Sequence, residues 1–267
     1  MSRIETVFEK VKAEGRTALV SFIMAGDPDE GRSLSVLNGL PDAGADIIEV
    51  GMPFTDPAAD GVTIQKAGQR ALAAGMTLTK TLTMVRNFRV SNRETPIILM
   101  GYANPLYAYG LAKFVQDAAA AGVDGLIIVD LPPEESDALE KFTGPAGLDI
   151  IRLITPTTDE ARLKKVLKGA GGFLYYVSIT GVTGTASADV QQISEHLGII
   201  GKHTDLPVAI GFGIKTPNDA QEMSKHADAV VVGSAIVEKV KDIQENGAGL
   251  DDVFDFVSSL SAALKAD

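Results

Sequence analysis

Three stretches of this chain repeat one phrase. Residues 42–51 (DAGADIIEVG), 120–130 (AAGVDGLIIVD) and 225–234 (KHADAVVVGS) each end a helical pattern, usually at glycine, place an aspartate next, run through consecutive apolar residues and close on a polar residue or glycine. Glycine is the expected stop at a helix C-terminus. A short, continuously apolar strand belongs in a parallel sheet covered on both faces. The phrase therefore describes a helix-to-strand unit used repeatedly.

Further apolar runs fit the same strand role. They are Ala18–Met24, Pro96–Met100, Asp149–Ile154, Gly172–Val177 and Pro207–Gly211. Strands are thus expected to start near 18, 46, 96, 124, 149, 172, 207 and 229, with helical patterns between them and after the last. Residues 2–14 form a further amphipathic helix, with Ile4, Val7, Phe8 and Val11 at helical spacing and Gly15 as its stop. Eight β/α units in about 250 residues predict a single (β/α)8 TIM barrel spanning 1–267. Extra helices are expected at the N-terminus, after strand 2 (77–90) and after strand 8 (234–265). An open doubly wound sheet is the alternative.

Composition narrows the function classes. The 267 residues are 45% apolar and 22% charged, a globular balance without a long polar tail. A net charge of −11 argues against nucleic-acid binding, but backbone dipoles can still hold a phosphate on an acidic protein. With no cysteine there is neither a disulfide framework nor a thiolate. The N-terminus lacks a signal-peptide core, and no apolar run is long enough to span a membrane. The expectation is a soluble cytoplasmic protein.

In a barrel, chemistry belongs on the loops that follow the strands. The seventh strand ends in Gly211-Phe212-Gly213-Ile214, and Thr216-Pro217 opens a helix. The eighth ends in Gly233-Ser234 and also runs into a helix. Glycines allow close backbone approach, and the helix N-termini favour an anion, so these two loops read as a phosphate site. Two tight turns are the plainer reading. A dinucleotide fingerprint is excluded because no G-x-G-x-x-G follows the first strand. The loop 178–189 is long, small and polar, with Gly181 and Gly184 as hinges. It reads equally as a lid over a ligand or as a plain connection.

The acids lie after strand 2. Alternation puts Ile47, Glu49 and Gly51 on one face and Asp46, Ile48 and Val50 on the other. An inward Glu49 would sit near the top of an apolar interior, where desolvation raises its pKa and suits it to proton transfer. Asp56 and Asp60 precede a helix, where N-capping is the ordinary role of an acid. The three histidines, His196, His203 and His226, fall on helices or their ends, so no metal-type set closes a strand. No lysine closes a strand as a Schiff-base former would; Lys215 comes nearest and belongs with the phosphate loop. Carboxylates and Tyr175 remain as acid–base candidates, in a chemistry without metal or cofactor.

Together these segments resemble the tryptophan synthase alpha subunit family over essentially the whole length. The resemblance rests on residues 25–28 (AGDP), 49–61 (EVGMPFTDPAADG), 101–105 (GYANP), 125–133 (GLIIVDLPP), 175–178 (YYVS), 180–184 (TGVTG) and 211–213 (GFG). It implies a carbon–carbon lyase of tryptophan biosynthesis, cleaving indole-3-glycerol phosphate to indole and glyceraldehyde 3-phosphate. By resemblance Glu49 carries the proton, Asp60 holds the indole N–H, and Tyr175 lies beside the reacting side chain. Phe22, Met100, Ile127 and Val129 match apolar positions around indole. Thr183 matches a loop threonine that bonds the aspartate on closure. Gly184, Gly213, Gly233 and Ser234 match phosphate-binding positions, with Gly211 and Phe212 in the same turn.

The resemblance also implies a beta subunit partner in an alpha2beta2 complex, with indole passed through a tunnel. Pyridoxal phosphate would be held only by that partner, so no cofactor is expected in this chain. Pro53, Asp56, Pro57, Asn104, Tyr107 and Pro132 are the interface candidates. The chain departs from the family at Ile179, where many relatives carry arginine in the mobile loop, and at Ala58 and Val62, which replace leucine and proline. Two other functions stay open at this point: a different phosphosugar enzyme, such as an epimerase or isomerase, and a non-catalytic regulatory subunit.

Overall fold

The structure, a computed structural model, describes residues 1–177, 186–211 (186–191 in secondary structure only) and 213–265. Helix α1 (Arg3–Ala13) opens on a reciprocal cap between Ser2 and Glu5. Strand β1 (Ala18–Met24), helix α2 (Glu30–Gly39) and strand β2 (Ile47–Gly51) follow, and then two helices, α3 (Val62–Ala73) and α4 (Leu78–Ser91). Next come β3 (Ile97–Gly101), α5 (Ala103–Tyr109), α6 (Leu111–Ala121) and β4 (Gly125–Ile128), then a 3-10 turn at Pro133–Glu135 and α7 (Asp137–Ala146). The fifth stave is split into β5 (Asp149–Ile150) and β6 (Arg152–Ile154), and α8 (Glu160–Val166) and β7 (Leu174–Val177) follow it. The chain ends with α9 (Ala186–Ile200), β8 (Val208–Gly211), α10 (Pro217–Ser224), β9 (Ala229–Val232), α11 (Ser234–Glu245) and α12 (Leu250–Ala263).

All strand pairs are parallel, in the order β5-β4-β3-β2-β1-β9-β8-β7-β6. The two ends of that order are halves of one stave, separated only by Ile151. Ile151 N–H donates to Leu126 O on β4, while Ile150 O accepts from Gly171 N–H ahead of β7, each at 3.0 Å. The stave thus changes partner at its midpoint, and the eight-stave barrel is closed through it. The expected helices after the second and eighth staves are α4 and α12. Helix α5 after β3 was not expected.

Side chains divide by strand face. Val20, Ile47, Ile98, Ile127, Ile151, Phe173, Ala209, Ala229 and Val231 fill the interior. Helix α1 plugs the lower end of the barrel: Ile4, Phe8 and Val11 join the interior cluster, and the Phe8 and Phe173 rings lie 5.9 Å apart. Ile48, Val50, Leu99, Leu126 and Val230 face outward into the helix layer. A strand covered on both faces must be apolar on both faces, and all seven residues of β1 are buried.

The repeated aspartates have a shared job at this lower end. Asp46, Asp124 and Asp228 each accept the backbone N–H of a neighbouring strand's residue, Leu19, Ile97 and Val208 respectively, all at 2.8 Å. Each returns its own N–H to the same residue's carbonyl, at 2.9 to 3.0 Å. Arg16 binds Asp46 through two nitrogens, and Arg3 and Arg89 converge on Asp124. Hydrogen bonds to a charged acceptor contribute roughly 1.5–3 kcal/mol each. The recurring phrase therefore encodes a register lock, with Gly122 in the left-handed conformation (φ 89) turning α6 toward one of the locks.

Candidate functional site

At the opposite end, β2 pairs Glu49 with Phe22 of β1 and Ile98 of β3. Ile47 lies in the interior cluster and Ile48 in the outer one, so Glu49 points inward. It is 1% exposed, and both carboxylate oxygens lack a hydrogen-bond partner among the described residues. Desolvation pushes its pKa up to about 8. Near neutrality this carboxyl carries its proton inside a dry wall and has nothing to give it to except a ligand.

Tyr175, on β7, faces the same interior. Burial, reinforced by nearby Glu49, holds its phenol well above its usual value, which makes it a hydrogen-bond donor rather than a base. Its hydroxyl occupies the space where any side chain at Gly211 of β8 would begin.

Asp60 lies in the loop between β2 and α3. It does not cap the helix: the N-cap is Gly61, which has no side chain to offer. The loop is held through its backbone instead. Asp60 N–H donates to Pro57 O at 3.1 Å, and Gln65 Nε2 donates to Asp60 O at 2.9 Å. Burial raises the Asp60 pKa, and a hydrogen bond with the Tyr102 hydroxyl opposes the rise. That hydroxyl also accepts from Ala59 N–H at 3.0 Å, and desolvation pushes the phenol up to about 12.

These groups surround a cavity of about 460 Å³ at the carboxyl ends of the strands. Phe22, Met24, Met52, Ile64, Met100 and Val129 form an apolar wall, with Glu49, Asp60, Tyr102 and Tyr175 set into it. Gly211, Gly213, Ile214, Lys215, Gly233 and Ser234 form the opposite rim. An apolar hollow of this size with a few converging polar groups suits a small ligand. A wider cleft of about 1090 Å³ opens at the other end, beside α1. Its Arg16 and Asp228 are engaged in the strand locks, and none of the buried unpartnered atoms among the described residues belongs to its lining. The chemistry therefore favours the smaller cavity.

The sequence-derived positions distribute as follows. Phe22, Met100, Val129, Gly211, Gly213, Gly233 and Ser234 line the cavity with Glu49, Asp60 and Tyr175. Ile127 does not: it is fully buried in the interior cluster, two residues before Val129 on the same inward face. Thr183, Gly184 and Phe212 lie outside the described residues. So does the segment 178–185, whereas 186–189 of the expected loop belong to α9. Pro53, Asp56 and Pro57 lie on the loop after β2, and Pro132 on the loop after β4. Asn104 and Tyr107 are carried on α5, with Tyr107 51% exposed. Asp130 accepts Ala103 N–H at 2.8 Å, tying α5 to the loop after β4.

Reading the residues alone missed Tyr102, Met24, Met52 and Ile64 on the wall. It also missed a buried clamp, in which Arg70 on α3 donates to both oxygens of Asp27 after β1, at 2.7 and 2.8 Å. For Tyr102 the available signal was its place immediately after a strand. Among the described residues no cluster of three or more His, Cys, Asp or Glu side chains is arranged to hold a metal, and no helix is long and apolar enough to cross a membrane.

A closed parallel barrel with a protonated glutamate and a second carboxylate facing an apolar hollow at the strand ends defines an acid–base enzyme of the (β/α)8 class. Comparison with known proteins makes the class specific. The family model "Tryptophan synthase alpha chain" matches residues 8–265. A tryptophan synthase alpha chain from Granulibacter bethesdensis is 54% identical over 270 residues, covering 100% of this chain and 97% of that one. The crystal structure of a tryptophan synthase alpha chain from Legionella pneumophila superposes with a TM-score of 0.91 at 38% identity, covering 99% and 97% of the two chains. Tryptophan synthase from M. tuberculosis, in an open form, gives 0.90 at 32% identity, with both chains fully covered. The chain belongs to the tryptophan synthase alpha chain family. That family is a lyase family of tryptophan biosynthesis, needs no cofactor in this subunit and has a beta subunit as its partner.

Proposed function

We propose that residues 1–267 act as one barrel domain that cleaves indole-3-glycerol phosphate to indole and glyceraldehyde 3-phosphate. The observation that carries this reading is Glu49, buried, without a hydrogen-bond partner among the described residues and protonated near neutrality on the cavity wall. Glu49 donates its proton to indole C3, which makes that carbon tetrahedral and leaves positive charge at the ring nitrogen. Asp60 holds the ring N–H and offsets that charge in a site where water does not screen it. Loss of the proton from the adjacent side-chain hydroxyl forms the aldehyde, and the electrons of the broken carbon–carbon bond restore the aromatic ring. Glu49, now a carboxylate, takes that proton back, so the cycle is proton-neutral.

Tyr175 donates a hydrogen bond beside the reacting side chain. Phe22, Met100 and Val129 surround the indole. Backbone N–H groups of Gly184, Gly211, Phe212, Gly213, Gly233 and Ser234 hold the phosphate, with Thr183 closing onto Asp60. The working unit is a cytoplasmic alpha2beta2 complex. Pro53, Asp56, Pro57, Asn104, Tyr107 and Pro132 meet the beta subunit, which holds the pyridoxal phosphate and receives the indole.

The test is indole release from indole-3-glycerol phosphate, with and without a beta subunit. Glu49→Gln should lower turnover by about three orders of magnitude or more while still binding indole-3-propanol phosphate. Full activity in that variant would remove Glu49 from the mechanism.

A further inference from the structure

The rim opposite Glu49 carries one feature that backbone anion binding does not require. Lys215 lines the cavity, and it is the only cationic side chain among the described lining residues. It is exposed and forms no ion pair among the described residues. The nearest acid in sequence, Asp219, accepts the backbone N–H groups of Lys215 and Thr216 at its Oδ2, at 3.1 and 2.9 Å, in the reciprocal cap of α10. Desolvation of Asp219 is outweighed by these bonds, with a smaller contribution from the Lys215 charge, so its pKa is lowered, but no ion pair forms between the two side chains. Lys215 follows Gly213, whose positive φ of 51 brings the backbone over the rim, and Ile214, which is buried and anchors the turn. The lysine is thus fixed at its backbone beside the cavity, with an exposed side chain that forms no ion pair among the described residues.

The electrostatic setting gives that ammonium something to do. The chain carries a net charge of −11, and the cavity also holds Asp60. For a phosphomonoester dianion the net charge and Asp60 count against approach, the N-termini of α10 and α11 count in favour, and an exposed cation at the rim adds to the favourable side. We infer that Lys215 is a phosphate-recognition residue of this site, adding a side-chain cation to a cradle otherwise built from backbone N–H groups and Ser234. This rests on the functional reading above, and what it adds is that one side chain, beyond the backbone cradle, strengthens the hold on the phosphomonoester. Because the cation is exposed, its contribution is screened by salt. At low ionic strength a point charge a few ångströms from a dianion in a wet site changes affinity by about three- to tenfold.

Equilibrium binding of two probes to the full chain tests this. The probes are indole-3-propanol phosphate and its phosphate-free counterpart indole-3-propanol, measured against the unaltered protein, Lys215→Gln and Lys215→Arg at about 20 mM and about 500 mM salt, either side of the screening range. Lys215→Gln should weaken the phosphate ligand three- to tenfold at low salt, with the gap closing at high salt. Lys215→Arg should retain most of the affinity, and the phosphate-free ligand should not distinguish the three proteins. Affinity of Lys215→Gln within twofold of the unaltered protein at low salt would overturn the inference. So would an equal loss for both probes or a loss insensitive to salt. If the unaltered protein discriminates against neither probe, the phosphate reading of the site falls first and the role of Lys215 falls with it.

Discussion

Replacing Glu49 by Gln keeps the shape of the side chain and removes its proton equilibrium, so stability as a function of pH isolates the cost of burying this acid. The unfolded chain titrates Glu49 near its ordinary value of 4.5, and the folded chain holds the proton up to about 8. Below both values the acid is neutral in either state and costs nothing through ionisation. Between them the unfolded state releases the proton and the folded state keeps it, so stability falls as pH rises. The gap between 4.5 and about 8, at about 1.36 kcal/mol per pH unit, makes this cost on the order of 3 kcal/mol at pH 7 and roughly 5 kcal/mol once the folded carboxyl ionises. The Gln variant escapes it. Its own amide adds an offset that does not change with pH, so the informative quantity is the slope.

Urea unfolding of both proteins at pH 5, 6, 7, 8 and 9, compared as midpoints at equal denaturant dependence, reads this directly. The advantage of the variant should grow steadily from pH 5 and level off above pH 8. Parallel stability curves across that range would show that Glu49 is ionised or hydrated in the folded chain, and the argument that it stores a proton for catalysis would fail with it.

Three further outcomes follow from the geometry. Gly211→Ala drives a methyl into the Tyr175 hydroxyl; it should cost roughly 1–3 kcal/mol in urea unfolding and lower kcat/KM, and an unchanged midpoint would place Tyr175 elsewhere. Tyr102→Phe removes the hydroxyl shared by Asp60 and Ala59 N–H and should lower kcat/KM of indole release by about five- to thirtyfold, the worth of roughly 1–2 kcal/mol; no change would mean that Asp60 is positioned without it. Asp124→Ala leaves Ile97 N–H without its side-chain acceptor and the buried Arg89 with backbone carbonyls but no carboxylate, and should destabilise the fold by roughly 3–5 kcal/mol in urea unfolding, whereas a loss below about 1 kcal/mol would reduce the lock to a surface pair.

How far the chain could be read in advance depended on range. The apolar runs and their alternation are local properties. They placed every stave within two residues of its observed start and grouped Glu49 with Ile47 and Gly51 on one face, but left open whether that face was the inner one, which the packing of Ile47 in the interior decides. The repeated aspartates were visible as a pattern, but their purpose was not, because each bonds a strand 20 to 27 residues away. The resemblance matched Ile127 and Val129 alike to positions around the indole; the two share a face but differ in depth, and Val129 is the one that lines the cavity. Tyr102 acts on Ala59 and Asp60, and Arg70 on Asp27, each pairing about forty residues apart, and no local signal announces them. Asp60 itself shows the ambiguity: a capping acid and a cavity acid look alike until Gly61 is seen to start the helix bare.

The hollow above the barrel is made by subtraction. At four stave ends the chain places glycine, at 51, 101, 211 and 233, and the space that side chains would have filled is shared between the cavity and its neighbours. Three of the four are already claimed. A methyl on Gly51 would lie 2.7 Å from the Phe22 ring, one on Gly101 would lie 2.8 Å from Met52, and one on Gly211 would strike Tyr175. At Gly233 the nearest atom would be Phe22 Cβ, at an ordinary 3.5 Å. The outline of the binding space is consequently set by aromatic rings at Gly51 and Gly211, softer at Gly101 where the Met52 methyl can swing aside, and most open at Gly233. A change in ligand size, whether by drift or by design, has its easiest route through the end of the last stave, one methyl at a time.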